Sequence, residues 1–228
     1  MRVGYRMGSR EVQISAIAAL DEPTRRRLYD YVVRQPEPVS RDQAAEALGL
    51  PRSTAAFHLD RLVEHDLLDV GYQRRSGRRG PGAGRPSKLY RRAPHQVAVL
   101  LPERRYELAG RLLSGALEHA ERSGDPPRDA LARRAYQVGK QIGEQARGTA
   151  VQVLEEYGFE PRADGDEIVL GNCPFHALAQ EYTKLVCGMN LSLIDGVLDG
   201  LGATGLNARL NPAPRSCCVR LSSRKQVS

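Results

Sequence analysis

Ser40-Arg-Asp-Gln-Ala-Ala-Glu-Ala-Leu-Gly-Leu50 runs directly into Pro51-Arg-Ser-Thr-Ala-Ala-Phe-His-Leu-Asp-Arg-Leu62. Ser40 suits a helix N-cap, where its hydroxyl takes an orphan amide of the first turn. Ala44, Ala45 and Leu48 share one helical face. Gly49 falls where a first helix must end in a left-handed residue. Pro51 suits the opening of the next helix, where no N–H is wanted. Phe57, Leu59, Leu62 and Val63 then recur at roughly helical spacing. Two short helices joined by a glycine-containing turn form a helix-turn-helix.

Working outward, Leu67, Leu68 and Val70 start a strand, and Lys88-Leu-Tyr90 reads as its return partner. Between them lies Arg74-Arg-Ser-Gly-Arg-Arg-Gly-Pro-Gly-Ala-Gly-Arg-Pro86. From Gly71 to Arg92 there are eight basic residues and no acidic one, so this hairpin must seek anions. Upstream, Val12, Ile14, Ile17 and Leu20 predict a first helix, and Leu28, Tyr31 and Val32 a second. The stretch resembles the winged-helix domains of the ArsR-like transcription regulators, with His58-Leu59 in the usual place in the recognition helix. That resemblance implies double-stranded DNA as the partner, bound as an inverted repeat by a homodimer. Ser53, Thr54 and His58 are then placed to reach base edges, and Arg52 and Arg61 to meet phosphate. Arg74, Arg75, Arg78, Arg79, Arg85 and Lys88 belong to the basic wing. Gly84-Arg85-Pro86 resembles an AT-hook core, whose arginine enters a narrow minor groove.

The charge distribution supports a division. Residues 1–92 hold 18 Lys+Arg against 11 Asp+Glu, whereas residues 93–228 hold 16 of each. All of the net +7 therefore lies in the first part, which marks it as the part facing polyphosphate. No apolar run is long enough to span a bilayer, and the N-terminus does not read as a signal peptide. A cytoplasmic location, where thiols stay reduced, is expected.

Three segments follow: a DNA-binding domain over 1–92, a linker and helical dimerisation region over 93–148, and an α+β sensor domain over 149–228. The fold class is α+β, an N-terminal winged helix-turn-helix followed by helices and a small antiparallel sheet. Pro102 is expected to open a helix. Leu131, Ala135, Val138 and Ile142 form a near-heptad stripe, suited either to a dimer seam or to packing within the chain. Thr149 and Gln152 have capping-box spacing. Asp164-Gly165 predicts a hairpin turn. Helices are expected near 175–186 and 189–201, then strands carrying Leu206, Ala208 and Leu210 and carrying Cys217, Val219 and Leu221.

All four cysteines lie in the last third: Cys173, Cys187, Cys217 and Cys218. Each falls at an expected element boundary, and such positions can converge at one end of a sheet. Inert buried thiols, a disulfide and metal ligation all fit the residues, and a reducing compartment favours metal. A winged helix followed by three widely spaced cysteine positions resembles the SufR-type iron–sulfur repressors. The resemblance implies an iron–sulfur cluster, [4Fe–4S], on Cys173, Cys187 and one of Cys217 and Cys218. The remaining ligand falls to His176, the other cysteine or an exogenous group. On a strand, Cys217 shares a face with Val219 and Leu221, which makes it the ligand and Cys218 the spare, unless the strand starts later. The terminal Cys-Cys-Val is also similar to 4-vinyl-reductase-type domains, which keeps zinc on Cys173, His176, Cys187 and Cys217 as the alternative, beside a metal-free thiol redox switch.

An enzyme is the weaker reading. Cys173 and His176 could pair as nucleophile and base, but no acid is placed to orient the histidine, and Pro174 opposes a helical pairing. Gly80, Gly82 and Gly84 are followed by a strand and not by a helix, which fails the context a phosphate loop requires.

Overall fold

The computed structural model describes residues 10–73, 87–214 and 216–223. The chain divides into two compact units, residues 1–99 and 100–228.

The first unit comprises α1 (Arg10–Ala19), α2 (Pro23–Val33), β1 (Val39–Ser40), α3 (Arg41–Leu48), α4 (Arg52–Glu64), β2 (Leu68–Gln73) and β3 (Ser87–Arg92). Glu22 caps α2 by accepting the amides of Thr24 and Arg25. Burial alone would raise the Glu22 carboxyl, but these two N–H bonds hold it below the usual carboxylate range. Ser40 caps α3 in a reciprocal box with Gln43. Gly49 ends that helix at φ 63°, a conformation open to glycine because it has no Cβ. The sheet has the order β1-β3-β2, with Val70 opposite Tyr90. Leu28, Ala44, Ala55, Leu59, Leu62, Leu68 and Tyr90 form the core.

Helices α1 and α4 both form, but not every apolar residue on them is buried. In α1 the alanines at 16 and 19 are buried, while Val12, Ile14 and Ile17 are exposed. Phe57 is exposed too, because 100° per residue carries it to the side of α4 opposite Leu59.

The second unit comprises α5 (Tyr106–Ser123), α6 (Pro127–Gln145), α7 (Ala150–Glu156), β4 (Pro161–Asp164), β5 (Glu167–Leu170), α8 (His176–Glu181), α9 (Thr183–Gly200), β6 (Leu206–Leu210) and β7 (Val219–Ser223). Its antiparallel sheet has the order β4-β5-β7-β6. The Thr149–Gln152 capping box opens α7. The helix expected at Pro102 starts instead at Tyr106. The hairpin turn lies one residue later than expected, since Asp164 pairs with Glu167 and leaves Gly165-Asp166 as the loop. Cys187 lies inside α9, not between helices, and β7 begins at Val219, after both terminal cysteines.

The tightest contact of this unit joins α6 to α9. Gly139 and Gly143 of α6 face Gly196 and Gly200 of α9. A Cβ on any of the four would overlap a backbone carbonyl of the other helix: Leu193, Val197, Tyr136 or Lys140 respectively. The main chains therefore touch. The stripe Leu131, Ala135, Val138 and Ile142 packs into the same core, within the chain. Among the described residues, no helix is long and apolar enough to cross a membrane.

Candidate functional sites: helix α4 and four buried thiols

Helix α4 carries its apolar row, Ala55, Leu59 and Leu62, inward. Its outer side presents Arg52, Ser53, Phe57 and Arg61. Arg52 Nη2 lies 2.7 Å from Asp42 Oδ1, a pair that spans the turn between α3 and α4. Arg61 Nη1 lies 2.8 Å from Glu64 Oε2, and its guanidinium sits 5.7 Å above the Phe57 ring centre. Thr54 is half-buried. The side chain of His58 is 14% exposed and faces inward, its Nδ1 3.4 Å from Glu22 Oε2 at the cap of α2.

Asp60 ties this helix to the hairpin. Its carboxylate accepts hydrogen bonds from Lys88 Nζ at 2.8 Å and from Tyr90 Oη at 2.8 Å. Burial first, and then the hydrogen bond to Asp60, pushes the Tyr90 hydroxyl well above its ordinary pKa. Lys88 of β3 thus lies against α4. Arg74, Arg75, Arg78, Arg79 and Arg85, with the Gly84-Arg85-Pro86 motif, lie outside the described residues.

In the second unit all four cysteines are free and buried. Cys173 follows β5 in a turn held by Asn172. The Asn172 amide donates to the carbonyls of Gly158 and Glu103, and its oxygen accepts from Arg104. Cys217 and Cys218 sit in the segment leading into β7. The Cys217 amide donates to the Leu170 carbonyl at 2.8 Å, and the Cys218 carbonyl accepts from the Asn211 amide at 2.8 Å. Cys187 comes from α9, which the glycine seam pins to α6.

These three segments deliver all four cysteines to the one hydrophobic core of this unit. Interaction with Cys217, and then burial, push the Cys173 thiol far up. Cys217 is pushed up to about 12: interaction with Cys173 favours its thiolate, but interaction with Cys218 and burial outweigh that. Burial raises Cys187 against the opposing effect of Cys218. Asn190, one turn beyond Cys187 on α9, is fully buried, and its Nδ2 donates to Cys217 Sγ at 3.2 Å. Its Oδ1 has no hydrogen-bond partner among the described residues.

The donor set fits a thiophilic centre, with four sulfurs, an amide N–H aimed at one of them, and little water. Among the described residues no three His, Cys, Asp or Glu side chains are gathered tightly enough to form a preformed metal-binding group. Binding would therefore draw the three segments together while displacing the thiol protons. His176 stands exposed at the start of α8.

Sequence periodicity missed three participants. Phe57 was readable from its angle to Leu59. The paired Gly-x-x-x-Gly spacings in α6 and α9 were visible, but their partnership is not local. Asn190 sits three residues after Cys187, a helical neighbour only once Cys187 is known to be helical.

One comparison bears on the first unit. Residues 20–71 match the family described as helix-turn-helix domain. The match covers α2 through the start of β2 and supports a DNA-binding transcription regulator of the ArsR-like, winged-helix kind. Such regulators are typically not enzymes. No curated protein and no solved structure matches the chain.

Proposed function

We propose that this protein is a transcription repressor that senses iron–sulfur or redox status through a [4Fe–4S] cluster held by Cys173, Cys187, Cys217 and Cys218. The observation that supports the reading is four free, buried cysteines from three separate segments in one core, with the Asn190 amide on Cys217 Sγ. Four thiolates complete the ligand set of such a cluster without His176. When bound, the cluster supplies an oxidation-labile crosslink among those segments. The chain's own part is to deliver the sulfurs, to keep water away, and to direct the Asn190 amide at Cys217. The DNA-binding unit acts as a cytoplasmic homodimer on an inverted-repeat operator, with α4 in the major groove and the basic hairpin on the backbone. The protein is a regulator and not an enzyme.

That all four thiols are free and buried favours a second reading, a metal-free thiol switch. Zinc on the four thiols is the third, and all three separate in one experiment. Protein purified without oxygen is analysed for iron, acid-labile sulfide and zinc. The cluster reading expects iron and sulfide in about equal amounts, as clusters of this type contain them. It also expects both to be lost in Cys187→Ser and in Cys218→Ser. Zinc without sulfide supports the zinc reading, and neither metal supports the thiol switch.

A further inference from the structure

Phe57 lies in the middle of α4 and is 56% exposed, although the neighbouring Leu59 and Leu62 are fully buried. It stands in one row with Ser53 before it and Arg61 after it, each four residues away, so the three side chains project from one face. The ring is oriented. Arg61 lies over it at 5.7 Å, and its edge contact with His58 has a centroid distance of 5.1 Å. His58 is itself held inward toward Glu22, which makes it a fixed wall behind the ring. The outer face of α4 thus pairs a guanidinium with a positioned apolar surface, and the phenyl is its largest apolar group.

We propose that Phe57 is a specificity-determining residue that meets the 5-methyl group of a thymine in the major groove. The inference rests on α4 being the helix that enters that groove. A phenyl ring offers no hydrogen bond, so it cannot read the donor and acceptor pattern of a base. The thymine methyl is the only apolar group that the four base pairs present on the major-groove side. Contact with it removes apolar surface from water on both partners. Arg61, drawn over the ring, stays able to reach a neighbouring phosphate or a guanine, so its geometry and that of Phe57 are set together.

The test uses the full chain and a duplex that it selects from a random-sequence library. Each thymine of one half-site is replaced in turn by deoxyuridine, which removes only the methyl group. The wild type is expected to bind about threefold to tenfold more weakly at one such position and to be indifferent at the others. Phe57→Ala should bind the thymine and uracil duplexes alike, at the weaker affinity. Phe57→Leu, which keeps an apolar tip, should retain part of the preference. Indifference of the wild type to uracil at every position overturns the proposal, and that arm needs no variant. So does a Phe57→Ala protein that still discriminates as the wild type does. Failure to enrich any sequence overturns the base-reading role of α4 itself, a result distinct from indifference to the methyl group.

Discussion

Asp60 shows how one side chain couples α4 to β3. It accepts from both Lys88 and Tyr90, but the two bonds differ in worth. Lys88 and Asp60 are each about two-fifths exposed, and solvent screening leaves their ion pair with little net effect. Tyr90 is buried, and its hydroxyl has no other acceptor among the described hydrogen bonds. Asp60→Ala should therefore lower stability by about 1–3 kcal/mol, the cost of stranding a buried hydroxyl. Asp60→Asn keeps an acceptor oxygen and should lose much less. Urea unfolding of the two variants checks this, and equal losses would show that charge, not the Tyr90 bond, is what matters. At the same scale, His58 illustrates a limit of motif reading. Its position in the helix suggested a base contact, whereas the backbone angle turns it to Glu22 and leaves Phe57 outward.

Among the elements of the second unit, α6 and α9 make the closest main-chain approach. Its four glycines let the main chains touch, and α9 carries both Cys187 and Asn190. Gly139→Ala places a methyl group on the Leu193 carbonyl, so the helices must separate. Overpacking of this kind costs about 1–3 kcal/mol, and more where backbone opposes the added group. Gly188→Ala on the same helix meets nothing within 4 Å and should be neutral or slightly stabilising. Thermal unfolding of the pair provides the comparison, with a clear loss expected only for Gly139→Ala. This contrast also explains what the sequence made legible. Ser40 with Gly49, and Thr149 with Gln152, are local signals, because the groups that satisfy them lie within one or two turns. Gly188 invited a helix break, and Cys187 was placed at a boundary. In the fold, burial of Val186, Cys187, Met189 and Asn190 outweighs the roughly 1 kcal/mol a helical glycine costs. The late start of β7 escaped for a similar reason. Cys217 continues the alternation of Val219 and Leu221, but its amide is already used by Leu170.

For the molecule as a whole, charge and apolar readout are assigned to different elements. Residues 20–71, the part matching the helix-turn-helix family, hold seven Lys+Arg and ten Asp+Glu. The hairpin from Gly71 to Arg92 holds eight basic residues and no acidic one. The proposed function therefore draws its attraction to the phosphate backbone chiefly from this basic stretch and leaves α4 to discriminate bases. The proposed sensing role falls to the second unit, which holds all four cysteines. The central claim joins the two: the state of the thiol centre sets the affinity for DNA. Affinity coupling of this kind is a difference between two states of one preparation. The most direct measurement is the dissociation constant of the full chain for its selected operator, first as purified anaerobically and again after the cofactor is stripped. The account predicts at least about a tenfold change between the two states, absent in Cys173→Ser, which never acquires the cofactor. The same affinity in the loaded and stripped wild type would contradict it.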